Sequence, residues 1–69
     1  MTVKVVSQGV ETFLLCGDGQ TRTFVGSTRM TFDAITTCRV EIGEARGVFQ
    51  ASEAGTITCS ESGGMVVCQ

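Results

Sequence analysis

Cys59-Ser60-Glu61-Ser62-Gly63-Gly64-Met65-Val66-Val67-Cys68 is the stretch that decides the fold. Gly63-Gly64 reads as the two-residue loop of a β-hairpin, because a type I′ turn needs positive φ at both central positions and glycine adopts it freely. Counting outward, Ser62 faces Met65, Glu61 faces Val66, Ser60 faces Val67 and Cys59 faces Cys68. The closing pair is hydrogen-bonded, so alternation leaves Cys59/Cys68 a non-hydrogen-bonded pair with Cα atoms about 4.5 Å apart. A disulfide spans that separation. A slip of one residue would turn the two side chains to opposite faces. Four cysteines allow three connectivities. This register selects Cys59–Cys68 and leaves Cys16–Cys38.

The staples matter because the chain is short. A single domain over residues 1–69 buries only about 60% of its unfolded surface, so hydrophobic gain and conformational entropy nearly cancel. Threonine, valine and glycine dominate the composition and proline is absent. β-Branched residues suit a pleated, half-buried surface, and regularly spaced glycines supply turns. No segment of useful length carries a helical period.

Moving back along the chain, residues 2–7 read as a first strand and 11–16 (Glu-Thr-Phe-Leu-Leu-Cys) as a central one, apolar on both faces. Asp18-Gly19 predicts a type I′ hairpin loop. That register sets Cys16 opposite Thr21 and Phe13 opposite Phe24, with Phe13, Leu15 and Phe24 on one face and Leu14, Cys16 and Val25 on the other. Met30 and Phe32 point inward from the next strand. Cys38-Arg39-Val40-Glu41-Ile42 alternates most clearly, with Cys38, Val40 and Ile42 toward the core. Gly43 to Gly47 is expected to turn, Val48–Ala51 to be extended, and Glu53-Ala54-Gly55 to turn into Thr56–Cys59. The whole predicts an all-β fold, a small antiparallel β-sandwich (or barrel) of six to seven short strands stapled by two disulfides.

Several chemistries lack their residues. The chain has no histidine, tryptophan or tyrosine, so no Ser/His/Asp or Cys/His arrangement can be assembled. The carboxylates Asp18, Asp33, Glu41, Glu44, Glu53 and Glu61 fall on turns or on a solvent face, where none is set up as a perturbed catalytic acid. Structural zinc sites pair their ligands at C-x₂₋₄-C spacing, and Cys16, Cys38, Cys59 and Cys68 are all farther apart, which favours disulfides over zinc. Gly17-Asp18-Gly19 offers one carboxylate against the six to eight oxygens of a calcium site. Gly63-Gly64 lacks the lysine and helix of a phosphate loop. No catalytic residue, cofactor or metal is therefore expected, and the chain reads as no enzyme. Five basic residues against seven acidic give a formal net charge of −2. Lys4, Arg22, Arg29, Arg39 and Arg46 are scattered and make no phosphate-binding face, so no nucleic acid is expected. Nothing approaches the roughly 20 apolar residues of a transmembrane helix, so no direct membrane insertion is expected. Met1 leads straight into a strand without a signal peptide, which would make an exported chain a mature or excised fragment.

The order of features resembles a family: Cys16-Gly17-Asp18-Gly19, then Phe32-x-x-Ile35, Cys38-x-Val40-x-Ile42, Phe49 and Thr58-Cys59. It looks like the small immunoglobulin-like β-sandwich modules related to PEGA domains of bacterial envelope proteins. The family's Pro-Gly-Ala run is absent, and Cys68 lies outside the pattern. The resemblance implies a binding or spacing role in an extracytoplasmic location (periplasm, cell surface or secreted), with a protein or cell-envelope component as partner and no catalytic residues. A partner strand could add to an unpaired edge, for which Thr2–Ser7 is the candidate, guarded by Lys4. The alternative is a free-standing secreted, disulfide-stabilised effector or inhibitor, presenting Thr21–Thr31 or Glu44–Gly47 as a rigid loop.

Overall fold

The computed structural model describes residues 1–8 and 10–69. These form eight strands: β1 (Thr2–Ser7), β2 (Thr12–Cys16), β3 (Thr21–Phe24), β4 (Ser27–Thr31), β5 (Thr36–Ile42), β6 (Ala45–Ala51), β7 (Gly55–Ser62) and β8 (Met65–Cys68). All belong to one sheet, ordered β3-β2-β5-β6-β8-β7-β1-β4. Consecutive β3 and β4 lie at opposite ends of that order yet are joined by only Val25-Gly26, so the sheet has curled round into a nearly closed barrel. Its interior is filled by alternate side chains, as in any small barrel. Val3, Val5, Leu14, Met30, Phe32 and Val40 are at most 1% exposed.

The alternation Cys38-x-Val40-x-Ile42 holds as expected, with all three side chains buried. Met30 and Phe32 also point inward. The all-β class and the two disulfides stand, but a sandwich of six to seven strands does not. A barrel and a sandwich ask for the same in-out alternation, and only long-range pairing separates them. Here β1 bridges β4 (antiparallel) and β7 (parallel), which carries the sheet round without a break. β8 inserts between β6 and β7, antiparallel to β7 and parallel to β6 through Arg46↔Met65. The ladder is therefore mixed.

β1 is consequently an interior strand and not the edge expected of Thr2–Ser7. Val3–Val6 pair on both sides, with Thr28–Ser27 and their neighbours in β4 and with Gly55–Thr58 in β7.

The two hairpins built on Gly pairs behave differently. At Gly63-Gly64 both φ values are positive, +60° and +82°, and the expected register from Ser62↔Met65 to Cys59↔Cys68 is observed. At Gly17-Asp18-Gly19 only Gly19 has positive φ, +94°. The Gly19 N–H donates to the Cys16 carbonyl at 3.0 Å, and the Cys16 N–H donates to the Gln20 carbonyl at 2.9 Å. That is a three-residue loop, a turn followed by a left-handed glycine, and not a type I′ turn. Asp18 settles the choice: its carboxylate accepts from the Gln20 N–H at 3.1 Å, a local bond available without positive φ at Asp18. The register moves by one, to Leu15↔Thr21, Phe13↔Thr23 and Thr12↔Phe24. Leu14 and Cys16 thus face the core beside Phe24, whereas Phe13 turns outward. Finally, the turn after β5 is only Gly43-Glu44, and Gly47 lies inside β6.

Candidate functional site

The cysteines pair as the hairpin argument required. Cys16 and Cys38 are direct cross-strand partners on β2 and β5, bonded with Cα atoms 4.0 Å apart. Cys59 and Cys68 are partners on β7 and β8, bonded with Cα atoms 4.1 Å apart. Close opposition of this kind is typical of non-hydrogen-bonded positions. Cys16, Cys38 and Cys59 are buried and Cys68 is half-buried, so both bonds belong to the barrel interior. No thiol is free, and none is available as a nucleophile or metal ligand. Two intramolecular disulfides point to a non-reducing environment.

The carboxylates do not converge. Asp18, Asp33, Glu44, Glu53 and Glu61 are exposed, and Glu41 is half-buried on the outer face of β5. Glu61 lies in β7 and not in a turn. Among the described residues no group of three or more His, Cys, Asp or Glu side chains could hold a metal ion. Asp18 has a lowered pKa. The Gln20 side-chain amide donates to its carboxylate at 2.6 Å and the Gln20 N–H adds a second bond, holding it below the ordinary 3.8.

The segments expected to act as presenting loops are mostly strand. Thr21–Thr31 consists of β3, Val25-Gly26 and β4, and Glu44–Gly47 is largely the start of β6. Neither protrudes as a loop.

A different surface is distinctive. Across the outside of β2, β5, β6 and β8, the register aligns two rows of side chains. One runs Phe13, Glu41, Arg46, Met65, through the partners Phe13↔Glu41, Glu41↔Arg46 and Arg46↔Met65. The other, two residues along each strand, runs Leu15, Arg39, Val48, Val67, through Leu15↔Arg39 and Arg39↔Val48. Val48 is 66% exposed, Met65 63%, Val67 43% and Phe13 37%. Leu15 is half-buried and borders, with Arg39 and Val48, a shallow groove of about 350 Å³. Singly exposed apolar residues are ordinary, but contiguous ones mark interaction surfaces. Sequence reasoning set Phe13 beside Leu15 and Phe24 on one face of a central strand, apolar on both sides, and missed this outer surface. The alternation Met65-Val66-Val67, with only Val66 buried, was the available signal.

A second, more enclosed cleft of about 330 Å³ opens where β8 stops short between β6 and β7, lined in part by Phe49, Gln50, Ile57 and Gln69.

Among the described residues no helix is long and apolar enough to cross a membrane. Comparison of the chain with protein-family models, with curated proteins and with solved structures found no match.

Proposed function

We propose that the chain is a non-catalytic binding or spacer module of an extracytoplasmic bacterial envelope protein, working through protein or glycan contacts. The observation that carries this reading is the outer face of β2, β5, β6 and β8, where apolar side chains stand exposed beside the cross-strand neighbours Glu41 and Arg46. A surface of that kind is maintained for contact, since water solvates it poorly. The two disulfides support an oxidising compartment, periplasm, cell surface or exterior. The PEGA-like order of features in the sequence supports the envelope setting. The dispersal of the carboxylates and the absence of histidine support a role without catalysis.

The test is a free-thiol count on protein alkylated at the moment of cell lysis, followed by peptide mapping. Zero free thiols, with Cys16–Cys38 and Cys59–Cys68 linked, is the expected result. Four alkylated cysteines would overturn the extracytoplasmic assignment.

A further inference from the structure

The first row of side chains on the outer face is complementary about its midline, with apolar residues at both ends and opposite charges at the two central positions. The first row reads apolar, acidic, basic, apolar (Phe13, Glu41, Arg46, Met65), and the second reads Leu15, Arg39, Val48, Val67. The midline of both rows falls between β5 and β6. We propose that this face binds a second copy of the chain, with a two-fold axis running along that midline, parallel to the strands. The proposal names an occupant for the surface on which the binding reading rests.

The symmetry operation decides which residues meet. An axis lying in the contact plane and along the strands keeps each row at its own height and exchanges its two sides. β5 then lies over β6 of the second copy, and β2 over β8. In the first row Glu41 meets Arg46 of the second copy, and Arg46 meets its Glu41. Each copy already sets Glu41 directly across the strand pair from Arg46. Four charges therefore form a square of alternating sign, with like charges only on its diagonals. At the ends of that row Phe13 meets Met65 of the second copy, twice. In the second row Leu15 meets Val67, and the aliphatic stem of Arg39 covers Val48, its charged head free to reach water. The contact is isologous, each residue's partner finding the same residue in return. Were the axis moved by one strand, to lie between β2 and β5, Glu41 would meet Phe13 and Arg46 would lose its carboxylate.

Shape agrees with this order. The outside of a barrel is convex, so a second barrel touches its midline most closely and falls away to the sides. The midline holds Glu41 and Arg46, whereas the flanks of the first row hold Phe13 and Met65, two long apolar side chains able to bridge a widening gap. Four strands at about 4.8 Å span about 19 Å. Two rows about 7 Å apart along the strands keep the footprint no longer than it is wide, so its area, about 400 Å² per copy, lies below the roughly 1,200 Å² total of standard interfaces, which makes this a weak, reversible contact. Tethering or high local concentration would then govern its occupancy.

The experiment is sedimentation equilibrium of the oxidised chain from about 10 μM to about 1 mM, concentrations spanning weak association. The wild-type chain is expected to show a monomer–dimer equilibrium that weakens with salt. Glu41→Arg and Arg46→Glu, each alone, set like charges across the axis and are expected to weaken dimerisation at least about tenfold. An equimolar mixture of the two variants restores both opposite-sign contacts and is expected to form the heterodimer, while each alone stays monomeric. Thermal unfolding of each variant, with its disulfides mapped, verifies that the fold persists. A wild-type chain monomeric at about 1 mM would overturn the proposal. So would single variants that dimerise as the wild type does, or a mixture that fails to recover. None of these results bears on the thiol measurement that tests the extracytoplasmic reading.

Discussion

Gln20 fastens the barrel to Thr31: its side-chain amide donates to the Thr31 carbonyl at 2.9 Å, across the seam where β3 and β4 face each other. The same amide nitrogen also donates to Asp18. Counting out from Val25-Gly26, Gln20 stands opposite Thr31 in the register a closed β3–β4 hairpin would have. A side chain thus holds the far end of a strand pair for which no backbone ladder is present among the described residues.

Gln20→Ala should unfasten this seam. The expected loss is about 1 kcal/mol, typical of a hydrogen bond in folded proteins. Amide hydrogen exchange should accelerate in β3 and β4 while β5 and β7 keep their protection. Uniform acceleration throughout the barrel would show that the seam is not a local weak point.

Asp18 gives the same turn a pH dependence. Hydrogen bonds from Gln20 hold its folded pKa below 3.8. A depressed carboxylate pKa contributes stability that is present above the unfolded value and disappears as pH falls through the folded one. Carboxyl NMR titration should place the Asp18 midpoint below 3.8 in the wild type and return it toward 3.8 in Gln20→Ala. An unchanged midpoint would remove the Gln20 side chain as the cause, since the backbone N–H of residue 20 persists in the variant.

Gly47 is required by close approach and not by φ. A Cβ there would overlap the carbonyl of Val66, where β8 runs close beside β6. Gly47→Ala should therefore cost about 2 kcal/mol or more, in the range of overpacked core sites. Gly17→Ala is the control, because its nearest neighbour, the Thr37 carbonyl oxygen, is at an ordinary 3.5 Å. Urea midpoints of the two variants decide the matter.

The two disulfides should differ in worth. Cys16–Cys38 closes 22 positions and Cys59–Cys68 closes 9. Loop-closure entropy then assigns about 3.4 and about 2.6 kcal/mol. Paired serine substitutions, followed by denaturant unfolding, should rank Cys16→Ser/Cys38→Ser as the more damaging.

Ser7 and Thr12 form a buried hydroxyl pair on either side of the β1–β2 connection. Thr12→Val alone strands the Ser7 hydroxyl and should cost about 1–3 kcal/mol. Combining it with Ser7→Ala should recover part of that loss. A strictly additive double-mutant cycle would show the two hydroxyls uncoupled.

What the sequence disclosed follows the range of each interaction. The Cys59/Cys68 register could be read because Gly63-Gly64 supplies both positive φ values within the hairpin itself. The Gly17–Gly19 loop misled because Asp18 can stabilise its turn through Gln20, so the same Asp-Gly pair serves two loop lengths one residue apart. That single shift moved Phe24 from the face of Phe13 to that of Leu14 and Cys16, and left Phe13 on the outer face without its aromatic partner. The count and closure of the strands lay beyond reach for another reason. β1 pairs with residues more than fifty positions away in β7, and β8 reaches back to β6, pairings that no local alternation encodes.

β1 runs parallel to β7 and β8 runs antiparallel to it, with Gln69 bonded to Thr58 in both directions. The chain therefore enters and leaves toward the same end of the barrel. Pulled by both ends, it would load its strands in peeling and not in shear. On the β8 side the peel halts almost at once, because Cys68 is bonded to Cys59 on the strand it would leave. Tension then passes covalently into β7, and residues 59–68 contribute nothing to extension. As a link in a longer polypeptide, such a unit would hang from the line like a bead on a short stalk, adding bulk and a surface but little reach.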